Sequence, residues 1–414
     1  MKQKRVFILM FCILLAGIFI AYQIELFALG SSLETNSNEQ ISAVPYLVKD
    51  INTGESSGVG FLAADDGNLF FHTAKPRAIW YTDGTLQNTT FITGTNELFV
   101  WELLNDNMFY FAADLLNVGV ELWKTDGTIT NTKLVKDINP SYENSIVRYS
   151  PDPTVFEDVL YFEANDGIHG AELWRSDGTD DGTYMVKDIR PGEDSSNLDR
   201  LSTAVGILYF TANDGIHGTE LWRSDGTNDG TYMVKDINSE GSSFSGYYYS
   251  YYHTSTVGEI LYFTANDGIH GVELWRSNGT NDGTYMVKDI FPGVARSNPK
   301  YLSTIGETLY FTAEDALRGH NSLWRSDGTD AGTYIVKEGI YPRNLLATTE
   351  GLLYFQAKDI HGRELWRSDG TNVGTYMVKD IYPGEDDSNP YYLTDAQGIV
   401  YFAAKDGTHV WLRI

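Results

Sequence analysis

From residue 45 onward the chain shows almost no 3.6-residue periodicity; short apolar runs recur instead between glycine-marked breaks. "ILYFTAND" from Ile207 sets Leu208, Phe210 and Ala212 against Tyr209 and Thr211, with apolar residues at adjacent positions, which predicts a strand buried on both faces. "NDGIHG", Asn213 to Gly218, is a turn signal. "TELWRS" from Thr219 alternates Glu220 and Trp222 against Leu221 and Arg223 and predicts the returning strand of a hairpin. A second turn follows at "SDGTNDGT", where Gly226 and Gly230 permit positive φ and Asp225 and Thr227 can bond nearby amides. "YMVKDI" from Tyr232 is a third strand, and the stretch ending "LSTAVG" at Gly206 predicts a weaker one ahead of the first.

This unit recurs. An apolar-aromatic triplet begins at Leu69, Phe109, Leu160, Leu208, Leu261, Leu309, Leu353 and Val400, and a tryptophan follows each, at Trp80, Trp123, Trp174, Trp222, Trp275, Trp324, Trp366 and Trp411, 42 to 53 residues apart. Four strands in about 46 residues is one propeller blade. The prediction is an all-β, eight-bladed β-propeller of four-stranded blades, with each tryptophan wedged between neighbouring blades. The "VKDI" copies begin at Val48, Val135, Val186, Val234, Val287, Val336 and Val378, with a degenerate one at Phe91 to Thr93. The first copy, "YLVKDI" at Tyr46 to Ile51, precedes every triplet, and no copy follows Trp411. The order predicts a ring closed by the N-terminal strand, about 46–51, which would complete the C-terminal blade by pairing with the strand that carries Trp411.

The first residues read differently. Basic "MKQKR" precedes an apolar run from Val6 to Tyr22, so residues 1–30 are expected to be a signal peptide, cut before Ser31, or an N-terminal membrane anchor. Residues 31–44 form a polar linker and 45–414 a single propeller. Such a chain is exported, secreted or held at the cell surface, and touches membrane only through that segment. The net charge of −26, more negative still beyond the basic first residues, argues against nucleic acid as a partner. The single cysteine, Cys12, lies in the apolar run, which excludes disulfides and thiol chemistry from the folded part.

The phrases "ELWKTDGT" at Glu121, "ELWRSDGT" at Glu172, Glu220 and Glu364, and "ELWRSNGT" at Glu273 resemble the motif that names the ELWxxDGT repeat proteins. The resemblance covers the chain from about residue 46 and implies a bacterial exported or surface protein with a β-propeller; it implies no reaction. "ANDGIHGTELW", Ala212 to Trp222, is more loosely similar to the tryptophan docking motif A-x-D-x-x-x-G-x-E-x-W of quinoprotein dehydrogenases, themselves eight-bladed propellers that can hold pyrroloquinoline quinone. The chain has no adjacent cysteine pair to stack on a quinone.

Candidate chemistry sits in the loops. Asp166, Asp214 and Asp267 of the "NDG" turns, Asp177, Asp225 and Asp369 of "SDGT", and "PGEDDSN" from Pro383 offer oxygens for calcium, a possible ligand. No copy has EF-hand spacing, so Asp-Gly turn chemistry is the expected role, and no cofactor is required. His169, His217, His270 and His361 are expected to be exposed loop residues. The largest break in the repeat is "SEGSSFSGYYYSYYH", Ser239 to His253, whose Tyr247, Tyr248, Tyr249, Tyr251 and Tyr252 are the ligand-binding candidates, suited to stacking on sugars or gripping a protein. A smaller break, Asn139 to Asp158, is expected on the same face. Neither a catalytic triad, a zinc-binding HExxH helix nor a phosphate loop is found. The sequence therefore reads as a monomeric, non-enzymatic extracytoplasmic binding or scaffolding module for protein or carbohydrate. The alternative is a propeller enzyme, quinoprotein-like or carbohydrate-active.

Overall fold

The alternation read at Ile207 closes into a sheet. In a computed structural model of the protein, Asp199–Ala204, Ile207–Asn213, Thr219–Ser224 and Tyr232–Lys235 run antiparallel in chain order, with Phe210 opposite Trp222 and Leu208 opposite Ser224. Five successive residues of the second strand are buried, as expected for a strand covered on both faces. The structure describes residues 27–29, 45–47, 49–51 and 58–414, apart from 66–67, 96, 106–107, 117, 147–150, 245–253, 317–319, 349, 397, 408–409 and 414.

Seven four-stranded sheets of this kind, blades 1 to 7, span residues 59–94, 97–136, 154–187, 199–235, 254–288, 300–337 and 343–379; blade 8, residues 391–413, has three strands. The chain is an all-β propeller of eight blades. It divides into two compact units, Met1–Ser196 with blades 1 to 3 and Asn197–Ile414 with blades 4 to 8. The weak strand expected ahead of each triplet is the innermost one. In blade 3 that strand is Thr154–Phe156, so part of the break read at Asn139 to Asp158 belongs to the sheet rather than to a loop.

Five of the tryptophans, Trp123, Trp174, Trp275, Trp324 and Trp366, pack on the blade before their own. In the second unit, Trp275 meets Leu221, Val234 and Ile237; Trp324 meets Leu274, Val287 and Ile290; Trp366 meets Leu323, Val336 and Ile340. In the first unit Trp174 meets Leu122, Val135 and Ile138 in the same way. Burying one such ring is worth roughly 4–6 kcal/mol as an upper estimate, so stacking of blades dominates the stability. A second contact has the same direction: Lys136 Nζ donates to the Asp180 carbonyl at 3.0 Å, and Lys235 Nζ to the Thr284 carbonyl at 2.8 Å, in the "SDGT" turn of the following blade. That turn needs glycine twice over. Gly370 has φ 86°, and a Cβ there would overlap the hydroxyl of Tyr310 from the preceding blade.

Blade 1 has no blade before it in sequence, yet the same contacts are made. Ile51 packs with Phe71, Ala78 and Trp80, and Lys49 Nζ donates to the Thr89 carbonyl at 2.7 Å, as Lys235 does to Thr284. Residues 49–51 thus stand on blade 1 as the outer strand of a preceding blade stands elsewhere. Pro45–Leu47 pairs antiparallel with Phe27–Leu29, and Val410–Arg413, the strand of Trp411, ends a sheet of three. Ile51→Ala is expected to cost about 1–2 kcal/mol, against about 2–4 for the more deeply buried Ile237→Ala. Urea denaturation reads both; an unchanged midpoint for Ile51→Ala would show that this residue does not cover blade 1.

Candidate functional site

The two ends of a blade carry different loops. At one end lie the "SDGT" turns, which join the third strand to the outer one. Asp225 Oδ1 accepts the Thr227 N–H at 3.0 Å and its hydroxyl at 2.7 Å, while the Ser224 and Thr231 hydroxyls meet at 2.7 Å. These bonds hold the Asp225 carboxyl below its ordinary range, with the Thr227 hydroxyl the largest cause. Asp177 and Asp369 make the same bonds, so this end is turn chemistry throughout. An open groove there, about 540 Å³ between Tyr81, Asn88, Thr90 and Gly127–Thr130, is lined by one ring, the Ile129 side chain, hydroxyls and amides, without a charged side chain.

At the other end lie the "NDGIHG" turns and the loops that lead to the next blade. His169, His217 and His270 place Nδ1 2.7 Å from Asp166, Asp214 and Asp267, whose other oxygen accepts backbone N–H groups of the turn. His361 lies 3.3 Å from Asp359. In the first three pairs the aspartate hydrogen bond raises the histidine above its ordinary value. Among the described residues, no group of three or more His, Cys, Asp or Glu is placed to hold a metal ion.

Between these loops the structure shows a feature that sequence reasoning missed. The glutamate of each "ELW" is fully buried, at Glu121, Glu172, Glu220, Glu273 and Glu364. Glu273 accepts the N–H groups of Ile290, at 3.1 Å, and Ser297, at 3.0 Å, and the Ser297 hydroxyl at 2.6 Å. Glu220 and Glu364 hold Ser243 and Ser388 in the same way, Glu121 takes the Ser145 hydroxyl, and Glu172 takes the Ser196 N–H. The carboxylate therefore ties the third strand both to the turn after "VKDI" and to the loop that enters the next blade. Burial pushes Glu121, Glu172, Glu220 and Glu273 up to about 7, against the hydrogen bonds that pull them down. The sequence did hold a signal, a serine 23 or 24 residues after each of these glutamates.

The tyrosine insertion hangs from one such lock. Ser243 is held by Glu220, and Phe244 packs on Phe263 with centroids 5.9 Å apart and lies under the Arg200 guanidinium at 5.3 Å. Tyr247, Tyr248, Tyr249, Tyr251 and Tyr252, the sequence candidates for ligand binding, lie outside the described residues. So does most of the segment expected to be a signal or anchor; no described helix is long and apolar enough to cross a membrane.

Comparison with known proteins adds little chemistry. No protein-family model matches the chain, and no curated protein does. Solved structures to which the chain is similar include a puromycin hydrolase mutant complexed with PGG, at 11% identity over 72% of this chain and 49% of that one, with a TM-score of 0.39. A structure from a study of two prolyl endopeptidases matches at 12% identity over 84% and 54%, with a TM-score of 0.42. A Mycobacterium tuberculosis puromycin-hydrolyzing peptidase matches at 10% identity over 84% and 57%, with a TM-score of 0.38. The chain spans about half the length of these proteins, and identity this low bears on no shared reaction.

The lock predicts a stability profile. A carboxyl whose pKa is about 7 in the fold, above its ordinary 4.5, binds its proton more tightly folded than unfolded. Stability should therefore rise as pH falls from about 8 toward 5, and the raised histidines act in the same direction. Thermal melts across that range check the sign, and a flat or inverted profile would refute it. Glu273→Gln, whose amide N–H groups would face backbone N–H donors, is expected to cost about 1–3 kcal/mol by urea denaturation.

Proposed function

We propose that the chain is a non-enzymatic binding module that acts outside the cytoplasm and engages carbohydrate or protein through the end that bears the "NDGIHG" turns and the tyrosine insertion. The observation that carries this reading is the use made of the perturbed carboxyls. A carboxyl with a pKa near 7 has the proton affinity of a general acid, and four of the repeated glutamates have it. Every one is fully buried and bonded to the turn after its own blade and to the serine of the loop that leads to the next. The repeated aspartates are likewise occupied by their own turns. Recurring residues thus build the scaffold, and recognition falls to residues that do not recur. The likeness of the "ELW" phrases to exported repeat proteins, and the basic-then-apolar first residues, support the extracytoplasmic placement.

A glycan array probed with the full chain, run beside a turnover assay on any glycan retained, tests the reading. Saturable retention of a glycan class without product is the expected result. Release of cleaved or oxidised product would overturn it in favour of an enzyme.

A further inference from the structure

In blades 4, 6, 7 and 8 the innermost strand is bulged, between Asp199 and Ser202, Lys300 and Ser303, Arg343 and Leu346, and Tyr391 and Thr394. One residue of each bulge has positive φ: Arg200 at 59°, Tyr301 at 54°, Asn344 at 52° and Tyr392 at 56°. The conformation recurs, but the residue does not. Asparagine tolerates the left-handed region; arginine and tyrosine occupy it at a steric cost that glycine or asparagine would avoid. A bulge re-aims the side chain it carries, and strain kept with a changing side chain marks positions held for what that side chain meets.

Three of these residues share a rim. The innermost strands of blades 6, 7 and 8 contact one another in turn, and each begins at the end where the loop from the preceding blade arrives. Arg363, on the third strand of blade 7, comes to the same rim, 9% exposed, with Nη1 3.4 Å from the Tyr341 carbonyl. The charges it senses are those of Arg343, Asp387 and Tyr301. Asp387 is already engaged, by Lys358 Nζ at 3.0 Å and by the Arg363 backbone N–H at 2.9 Å. Burial, and then the like charge of Arg343, hold the Arg363 guanidinium below its ordinary range. Arg343, Arg363 and Lys358 share one carboxylate, Asp387, so these side chains leave an excess of positive charge at the rim that a bound anion would balance.

We propose that this rim, Tyr301, Arg343, Asn344, Arg363 and Tyr392, binds a carboxylate-bearing oligosaccharide of the uronic acid type. The arginine pair takes the carboxylate, the tyrosine rings pack on the sugar face, and Asn344 meets ring hydroxyls. The inference rests on the binding-module reading and names its ligand class. A neutral sugar would leave the excess positive charge unbalanced, and an acidic peptide would leave the rings without a flat partner.

Calorimetry of the full chain with tetragalacturonate, cellotetraose and tetraglutamate tests it. Tetragalacturonate is expected to bind tightest, with affinity falling as salt rises. Arg343→Gln should weaken it about tenfold or more. Tyr392→Asn, which installs the residue blade 7 uses at this position, should weaken binding while the melting temperature holds or rises. A merely structural Tyr392 would move the melting temperature and leave binding alone, which would overturn the assignment. So would tetragalacturonate binding no tighter than cellotetraose or tetraglutamate, or equally tight binding by Arg343→Gln. If only neutral glycans are retained, this inference fails and the binding reading stands; a chain that instead releases product defeats the reading itself.

Discussion

A buried carboxylate organises the blades. With no water to solvate it, the glutamate of "ELW" must collect donors from within the protein, and the donors it finds lie in two segments that would otherwise leave the sheet freely. The chain after the outer strand is pulled back to the third strand, and the loop into the next blade starts from a fixed point. Where the glutamate is missing the site shows it: blade 6 has Ser322 there, buried, with its hydroxyl unpartnered among the described residues, and blade 1 has Ala78. Tryptophan wedges and lysine latches then act on blades whose edges are already set.

This arrangement separates the two ends of the propeller by kind of residue. At the "SDGT" end the Ser, Asp and Thr side chains of the turn answer groups two to seven residues away, so the turn can be copied unchanged. At the opposite end the lock fixes where the connecting loop begins but not what it contains. That is why the tyrosine insertion can be long, and why bulges with unlike side chains can follow a common backbone path.

Much of the fold was legible in the sequence because its signals are short-range. Period-two runs, Asp-Gly turns and the spacing of tryptophans predict strands, hairpins and a blade count, and the sheets follow them. The glutamate lock was not legible, because Glu220 alternates with Leu221 on a strand and reads as a solvent-facing polar residue; only the neighbouring blade makes both faces interior. The bulges are invisible for another reason. Left-handed φ at an arginine or tyrosine contradicts local preference, so sequence argues against it. Phe27–Leu29 was missed as a strand because its surroundings read as an export segment. Of the proposed site, the insertion at Ser239 was legible as a break in the repeat, whereas Arg343, Asn344 and Arg363 sit in stretches that look like ordinary repeats.

The contacts of Lys49 and Ile51 bear on how such a chain can mature. A blade needs a neighbour's surface to cover its tryptophan, and blades 2, 3, 5, 6 and 7 receive one from residues already synthesised. Blade 1 would be the exception, exposed until the rest of the chain existed. Because Ile51 covers Trp80 and Lys49 reaches Thr89, the exception is removed. Vectorial folding then has a starting surface, and a chain that emerges N-terminus first can acquire its blades in order, each on a finished predecessor.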